Sequence, residues 1–548
     1  MKEYFKLTLL LLIVLCVFSP TNTHAVDETS TIVSFKDSNL YNLIIKTVQY
    51  EEKDDDTLTL KINNIDSITE LDLSNTYLQY SKKIKDISGL EKFENLTKLN
   101  LSKNCITDIS PIKNMTNLKD LTIYGNKISD LNDLKNLTNL EHLYIGNTGI
   151  SDISIVENML NLVDLDFQDN TVTDISSVSK LNKLSSLDMT RNKITDFSPI
   201  KDMTDLKELT IYGNKISNLD DLKNLTNLEH LYIGNTGISD ISIVENMPNL
   251  VDLDFQDNTV TDISSLSKLN KLLSLDMTRN QITDFSPIKD MTELRELTIY
   301  GNEISDLNDL KNLTNLEHLY IGNTGITDIS IVEKMIDLID FDAQNNKISN
   351  IDILANLKDL ETLNLSNNNI SDIKSLSNLK VLKNLNLKKN KISDINVLNE
   401  MQNIDTIELE EQTINFAMNK NSTSIPSLFI DALDSTKLVY SSEGLLFENV
   451  KLDETKTNAI ILDKTKDAKI VIKSGIAKDS TLTFESDNLD KEDTTNKSEN
   501  GEDNKVNSNR YKGILPNTGR STILVILIGL IIISGFLYIK NNKYKDIK

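Results

Sequence analysis

The sequence predicts an α/β fold: a solenoid of stacked 22-residue turns, with a parallel β-sheet on its concave side and short 3₁₀ or irregular segments on its convex side. Three observations carry that prediction. Residues 96–112, LTKLNLSKNCITDISPI, set Leu96, Leu99, Leu101, Ile106, Ile109 and Ile112 around a turn residue, Asn104. This apolar skeleton returns every 22 residues up to Gln412, with Asn at most turn positions and Thr at Thr148, Thr236 and Thr324. A longer period overlies it: Asn126, Asn214 and Asn302 begin similar blocks 88 residues apart, and HLYIGNTGI stands at 142–150, 230–238 and 318–326.

Each element follows from the pattern. A single turn cannot bury its own leucines, whereas stacked turns bury them against one another. The Leu-x-Leu step reads as a short strand, and the Asn side chains as a ladder bonding backbone groups that a tight turn leaves unpaired. Thr and Gln keep a donor and an acceptor in that slot. Four residues past the ladder, twelve of fourteen turns carry Asp, from Asp108 to Asp394, with Asn218 and Asn350 as exceptions. Both residue types cap a short helical turn. An earlier turn, LDLSNT, ends at Thr76, 28 residues before Asn104, which implies six inserted residues within 79–85. Upstream, Asp37 or Ser38 can cap a helix whose Leu40, Leu43, Ile44 and Val48 share one face.

The domains expected are a signal peptide at 1–25, a helical cap at 26–65, the solenoid at 66–415, a β-rich domain at 416–485, a linker at 486–514 and a terminal signal at 515–548. Lys2 and Lys6, the apolar run Leu7 to Phe18 and Thr23-His24-Ala25 make the secretory signal, which takes Cys16 with it. KIVIK at 469–473 and TLTFE at 481–485 alternate as strands do. Residues 486–514 are almost wholly polar and read as disordered, spanning about 100 Å when stretched. Residues 521–539 are long and apolar enough to cross a bilayer, and Lys540, Lys543, Lys545 and Lys548 follow.

Leu515-Pro516-Asn517-Thr518-Gly519 resembles the LPxTG sorting signal of Gram-positive wall proteins. The resemblance implies that a sortase cuts after Thr518 and joins the chain to peptidoglycan, so the apolar span holds the membrane only before cleavage. The array itself resembles the internalin family of wall-attached leucine-rich-repeat proteins. The likeness rests on the constant period, the N-x-I-x-D-I-x-P-I phrasing from Asn104 to Ile112, and ISGLEKFENLTKLNL at 87–101. It implies a cap before the array, an immunoglobulin-like module at 416–485, and a concave sheet that binds a host-surface protein.

Side chains alternate along a strand. With the leucines inward, the concave face carries Tyr124, His142, Tyr144, Asp166, Asp188, Tyr212, His230, Tyr232, Asp254, Asp276, Tyr300, His318 and Tyr320. Rigidly held tyrosines suit a binding face, although cross-strand packing explains them as well. Asp166 and Asp188 occupy one slot in successive turns, where like charges repel; calcium is one remedy, water and spacing another, and no metal ligand set is assigned. Cys105 falls in a slot read as exposed.

A net charge of −24 argues against a nucleic-acid partner. No catalytic constellation and no cofactor motif is present, so the chain reads as a binding protein and not an enzyme. The leading function is a secreted, wall-anchored adhesin for a host-surface protein. A glycan or matrix binder stacking sugars on the tyrosines is the alternative, and a passive scaffold the third.

Overall fold

The computed structural model describes residues 30–75, 82–304, 306–392, 397–398, 401 and 403–417, with further strands up to residue 485. The signal peptide, Thr76, the linker and the sorting signal lie outside the described residues. Among the described residues no helix is long and apolar enough to cross a membrane.

The cap is more than helical. Strand β1 (Ser30–Ser34), helix α1 (Ser38–Thr47), β2 (Glu52–Asp54) and β3 (Thr59–Asn63) make a helix and a three-stranded antiparallel sheet with β3 in the middle. The alternation in TLKIN explains β3, since Leu60 and Ile62 are fully buried. Asp37 is the N-cap, its Oδ1 accepting from the amides of Asn39 (2.7 Å) and Leu40 (3.3 Å). Its Oδ2 accepts from Lys85 N (2.7 Å), which ties the cap to the first turns. Helix α1 buries Leu40, Tyr41 and Ile44, while Leu43 and Val48 are half-buried. The Tyr41 hydroxyl donates to Asp55 (2.6 Å), and burial pushes that phenol up to about 12.

The chain divides into two compact units, the first including the cap and ending at Lys271, the second beginning at Leu272. Among the described residues the first contains nine parallel strands from Glu70–Asp72 to Asp252–Asp254, and the second seven from Ser274–Asp276 to Thr406–Glu408. Leucine pairs with leucine across neighbours, as Leu143 with Leu165 and Leu297 with Leu319, so the register is the one the sequence implies. Short 3₁₀ segments of three to five residues, such as Ser154–Asn158 and Ser330–Lys334, complete the turns. The core lies between these two layers and contains essentially every leucine and isoleucine of the repeat.

The ladder does what the sequence requires. Asn126 Nδ2 donates to Leu101 O (2.9 Å) and Ile123 O (2.8 Å), and its Oδ1 accepts from Ile106 N (3.0 Å). Gln412 reproduces the scheme with Leu387 O, Leu409 O and Ile392 N. Thr148 donates to Ile145 O (2.8 Å), and Asn170 Oδ1 accepts from the Gly149 amide (2.9 Å) beside it. The repeating aspartates also behave as read, with one refinement. Asp108 Oδ1 accepts from Ser110 N two residues on (2.8 Å), and Asn218 does the same for Asp220 (3.0 Å). The helical segment's own cap is the intervening apolar residue, so these are Asx turns leading into the segment.

Two regularities escape the sequence reading. The residue before each ladder position is left-handed: Lys103, Asn147, Asp169, Arg191 and Lys389 have φ between 50° and 59°. A side chain there is strained, which predicts that Lys103→Gly stabilises the fold by up to about 1 kcal/mol in a melting experiment. A second asparagine series lies on another flank, with Asn139 Nδ2 donating to Thr116 O (2.8 Å) and Asn315 to Thr292 O (2.9 Å). Cys105 is half-buried and not exposed as expected; its amide donates to Ile84 O.

Beyond the repeats, Thr413–Ala417, Thr481–Glu485, Ala468–Ile472 and Leu445–Glu448 form a four-stranded sheet in that order. Ser424–Ile425, Ala459–Ile461 and Val450–Leu452 form a three-stranded one. All neighbours are antiparallel except the first pair, which is parallel.

A candidate protein-binding face

In the strand His142–Tyr144, Leu143 is fully buried and its two neighbours are half-buried on the other face of the sheet. The same holds for His230 and Tyr232 in the first unit and for His318 and Tyr320 in the second. All three HLYIGNTGI copies therefore present His and Tyr where alternation places them.

The tyrosines also pack across strands, as the simpler reading held. Tyr144 OH donates to Asp164 of the next strand, and Tyr232 OH to Asp252 (2.7 Å). Burial, then the aspartate alongside, drives the phenol pKa of Tyr144, Tyr232 and Tyr320 far above the usual value, so these hydroxyls remain donors at any physiological pH. His142 lies between carboxylates, with Nε2 3.8 Å from Asp120 and Nδ1 3.9 Å from Asp164. His318 Nδ1 is 2.6 Å from Asp340.

Tyr124, Tyr212 and Tyr300 are placed by a glycine. A Cβ on Gly146 would stand 2.8 Å from the Tyr124 ring and 2.9 Å from Gln168 Cγ. Gly234 relates in the same way to Tyr212 and Gln256, and Gly322 to Tyr300 and Gln344. Each ring thus lies across a residue with no side chain, while the next turn's Gln packs on the far side. Gly146 is buried beneath the ring and is not part of the exposed face. Gly146→Ala must displace the ring, which predicts a loss of about 1–3 kcal/mol and a lower melting temperature.

The acidic residues lie where alternation puts them, but more enclosed. Asp166 is in register with Asp188. The Asp166 carboxylate accepts from the amide and side chain of Gln168, both at 2.9 Å. Burial, then the Asp188 charge, pushes its pKa up to about 7, and burial raises Asp188 too. Proton uptake thus relieves the like-charge contact without a cation. Among the described residues no cluster of His, Cys, Asp or Glu fits a metal ion. Asp254 is buried and held by Gln256 through both oxygens; Asp276 is half-buried and accepts from Thr278 N (2.9 Å). Asp342 is raised by burial and takes bonds from Gln344 and Asn364.

Sequence reasoning missed Glu208, whose pKa burial and the neighbouring Asp164, Asp188 and Asp252 raise to about 7. Its place at the first strand position, between acid-bearing turns, was the available signal. Asp169 and Arg191, which alternation also places on the concave side, pair with each other: Asp169 accepts from Arg191 Nε (2.5 Å) and Nη2 (2.7 Å).

The comparisons with known proteins agree with this architecture. A family profile described as leucine rich repeats (2 copies) matches seven windows from residues 94–136 to 337–378, together just over half of the chain. Among solved structures, the functional domain of InlJ from Listeria monocytogenes is 23% identical, with 83% of this chain and 99% of that one covered and a TM-score of 0.56. A leucine-rich-repeat protein of Leptospira interrogans is 23% identical over 63% of this chain and 97% of that one, with a TM-score of 0.50. An internalin (inlF) from Listeria monocytogenes is 33% identical over 64% of this chain and 95% of that one, with a TM-score of 0.49. No curated protein matches the sequence. The chain belongs to the leucine-rich-repeat family, a protein-interaction repeat, and is similar in fold to internalins.

Proposed function

We propose that the chain is a cell-surface adhesin that grips a host-surface protein with the tyrosine- and acid-bearing face of its sheet. The observation that carries this reading is the repeated placement of Tyr124, Tyr212 and Tyr300 across a glycine, which presents large, ordered rings at small entropic cost on binding. Removing residues 214–301, one 88-residue block, tests it: capture of a surface protein should fall sharply. A gradual loss would favour a glycan ladder, and no loss a passive spacer.

The termini complete the proposal. Residues 1–25 export the chain, sortase acts at Leu515, Pro516, Asn517, Thr518 and Gly519, and residues 486–514 lift the folded part from the peptidoglycan. Residues 416–485 fit an immunoglobulin-like module, a reading supported by two sheets of four and three strands among the described residues. Mature protein is expected in the wall fraction with Thr518 as its last residue. Intact chain in detergent-solubilised membrane would contradict anchoring.

A further inference from the structure

We propose that the partner segment held by this face is arginine-bearing, with one guanidinium stacking on each glycine-seated tyrosine and pairing with the carboxylates beside it. This rests on the protein-binding reading above and specifies the chemistry of the partner.

The first unit shows the charge imbalance most clearly. From the strand Asp120–Thr122 to the strand Asp252–Asp254, the outward first and third positions hold Asp120, Asp164, Asp166, Asp188, Glu208, Asp252 and Asp254, and no Lys or Arg. Burial first, then the neighbouring acids, raises the carboxyls of Asp166 and Glu208. A basic partner supplies countercharge to this row and displaces their protons.

Why arginine and not any base follows from the rings. Tyr124 lies over Gly146 within the field of Asp169, Asp166, Arg191 and Asp188, with acids in the majority, and remains half-exposed. A planar guanidinium stacks flat on such a ring while its edge forks onto a carboxylate; an ammonium is attracted to both as a point charge but offers neither the flat face nor the fork. The chain contains an example of the pairing, since Arg191 forks onto Asp169 beside this ring. Tyr212 repeats the seat over Gly234 in the same unit, with Asp254 and Gln256 alongside. The two rings are four strands apart, about 19 Å at about 4.8 Å per strand, or about six residues of extended chain. The second unit adds the same arrangement at Tyr300 and Gly322.

Fluorescence anisotropy on the full chain tests this with labelled Gly/Ser peptides bearing arginine at every sixth residue. The arginine peptide should bind at low salt and weaken by about tenfold or more between 50 and 300 mM salt. Its citrulline counterpart should bind about tenfold more weakly, because the shape is kept and the charge lost. Tyr124→Ala with Tyr212→Ala should weaken binding by about tenfold, whereas the two Phe replacements should retain it, since the stacking face survives. Equal binding of arginine and citrulline peptides overturns the proposal. So does unchanged affinity in the Ala variant, which would leave only diffuse charge attraction. If the Ala variant melts early, the Phe variant and the citrulline peptide still decide. Should the arginine peptide fail while block deletion still abolishes capture of a surface protein, this inference falls and the binding reading stands.

Discussion

Replacing Asn192 by alanine is expected to destabilise the first unit by about 3–5 kcal/mol, the largest effect of any single polar substitution in the repeat. Asn192 Nδ2 donates to Phe167 O (3.0 Å) and Met189 O (3.1 Å), and its Oδ1 accepts from Val172 N (3.0 Å). All three backbone groups lie in the core, where water does not replace the lost partner, and each orphan costs about 1–3 kcal/mol. Because a turn touches only its neighbours, the damage should be local. Hydrogen exchange should rise first in the turns around 167–192. Thr148→Val, which removes a single donor to Ile145 O, is expected to cost only about 1 kcal/mol. Equal losses in chemical denaturation would contradict the ladder's role.

The second large effect is an inverted pH dependence. Asp166 and Glu208 each have a folded pKa pushed up to about 7, well above the ordinary value of an unfolded carboxyl. The folded state therefore binds protons more tightly than the unfolded one. The stability they contribute is fully present below the unfolded pKa and is lost as pH rises through about 7. Stability should thus rise by about 2–4 kcal/mol as pH falls from 8 to 5. The exposed aspartates of the Asx turns act in the opposite sense. Asp174 and Asp196 are lowered by their bonds to Ser176 and Ser198, so their contribution fades as pH falls through the acid range. Asp166→Asn should raise the melting temperature at pH 8 and flatten the profile between pH 5 and 8. A profile that climbs steadily from pH 5 to 8 would contradict the assignment.

How far the sequence disclosed this protein depends on how strongly each feature is periodic. The leucine skeleton fixed strand register, core and ladder, because a 22-residue repeat leaves one way to stack turns so that Leu143 meets Leu165. Tyr144 and His142 were legible for the same reason. What stayed hidden depends on neighbours in space. Nothing in the repeat explains Gly146, and only the Tyr124 ring lying over it reveals why glycine is needed. Asp254 read as exposed, yet Gln256 closes over it. The strands of the cap lay outside the period, and their alternation at 59–63 went unused.

Capture of a host-surface protein by the chain carrying Tyr144→Ala, Tyr232→Ala and Tyr320→Ala, compared with the unaltered chain, tests the binding face most directly. If the face is the grip, the triple variant should melt as a folded repeat protein yet lose capture by about a hundredfold or more, as expected when several ordered aromatic anchors are removed. Undiminished capture by the folded variant would contradict the role assigned to this face.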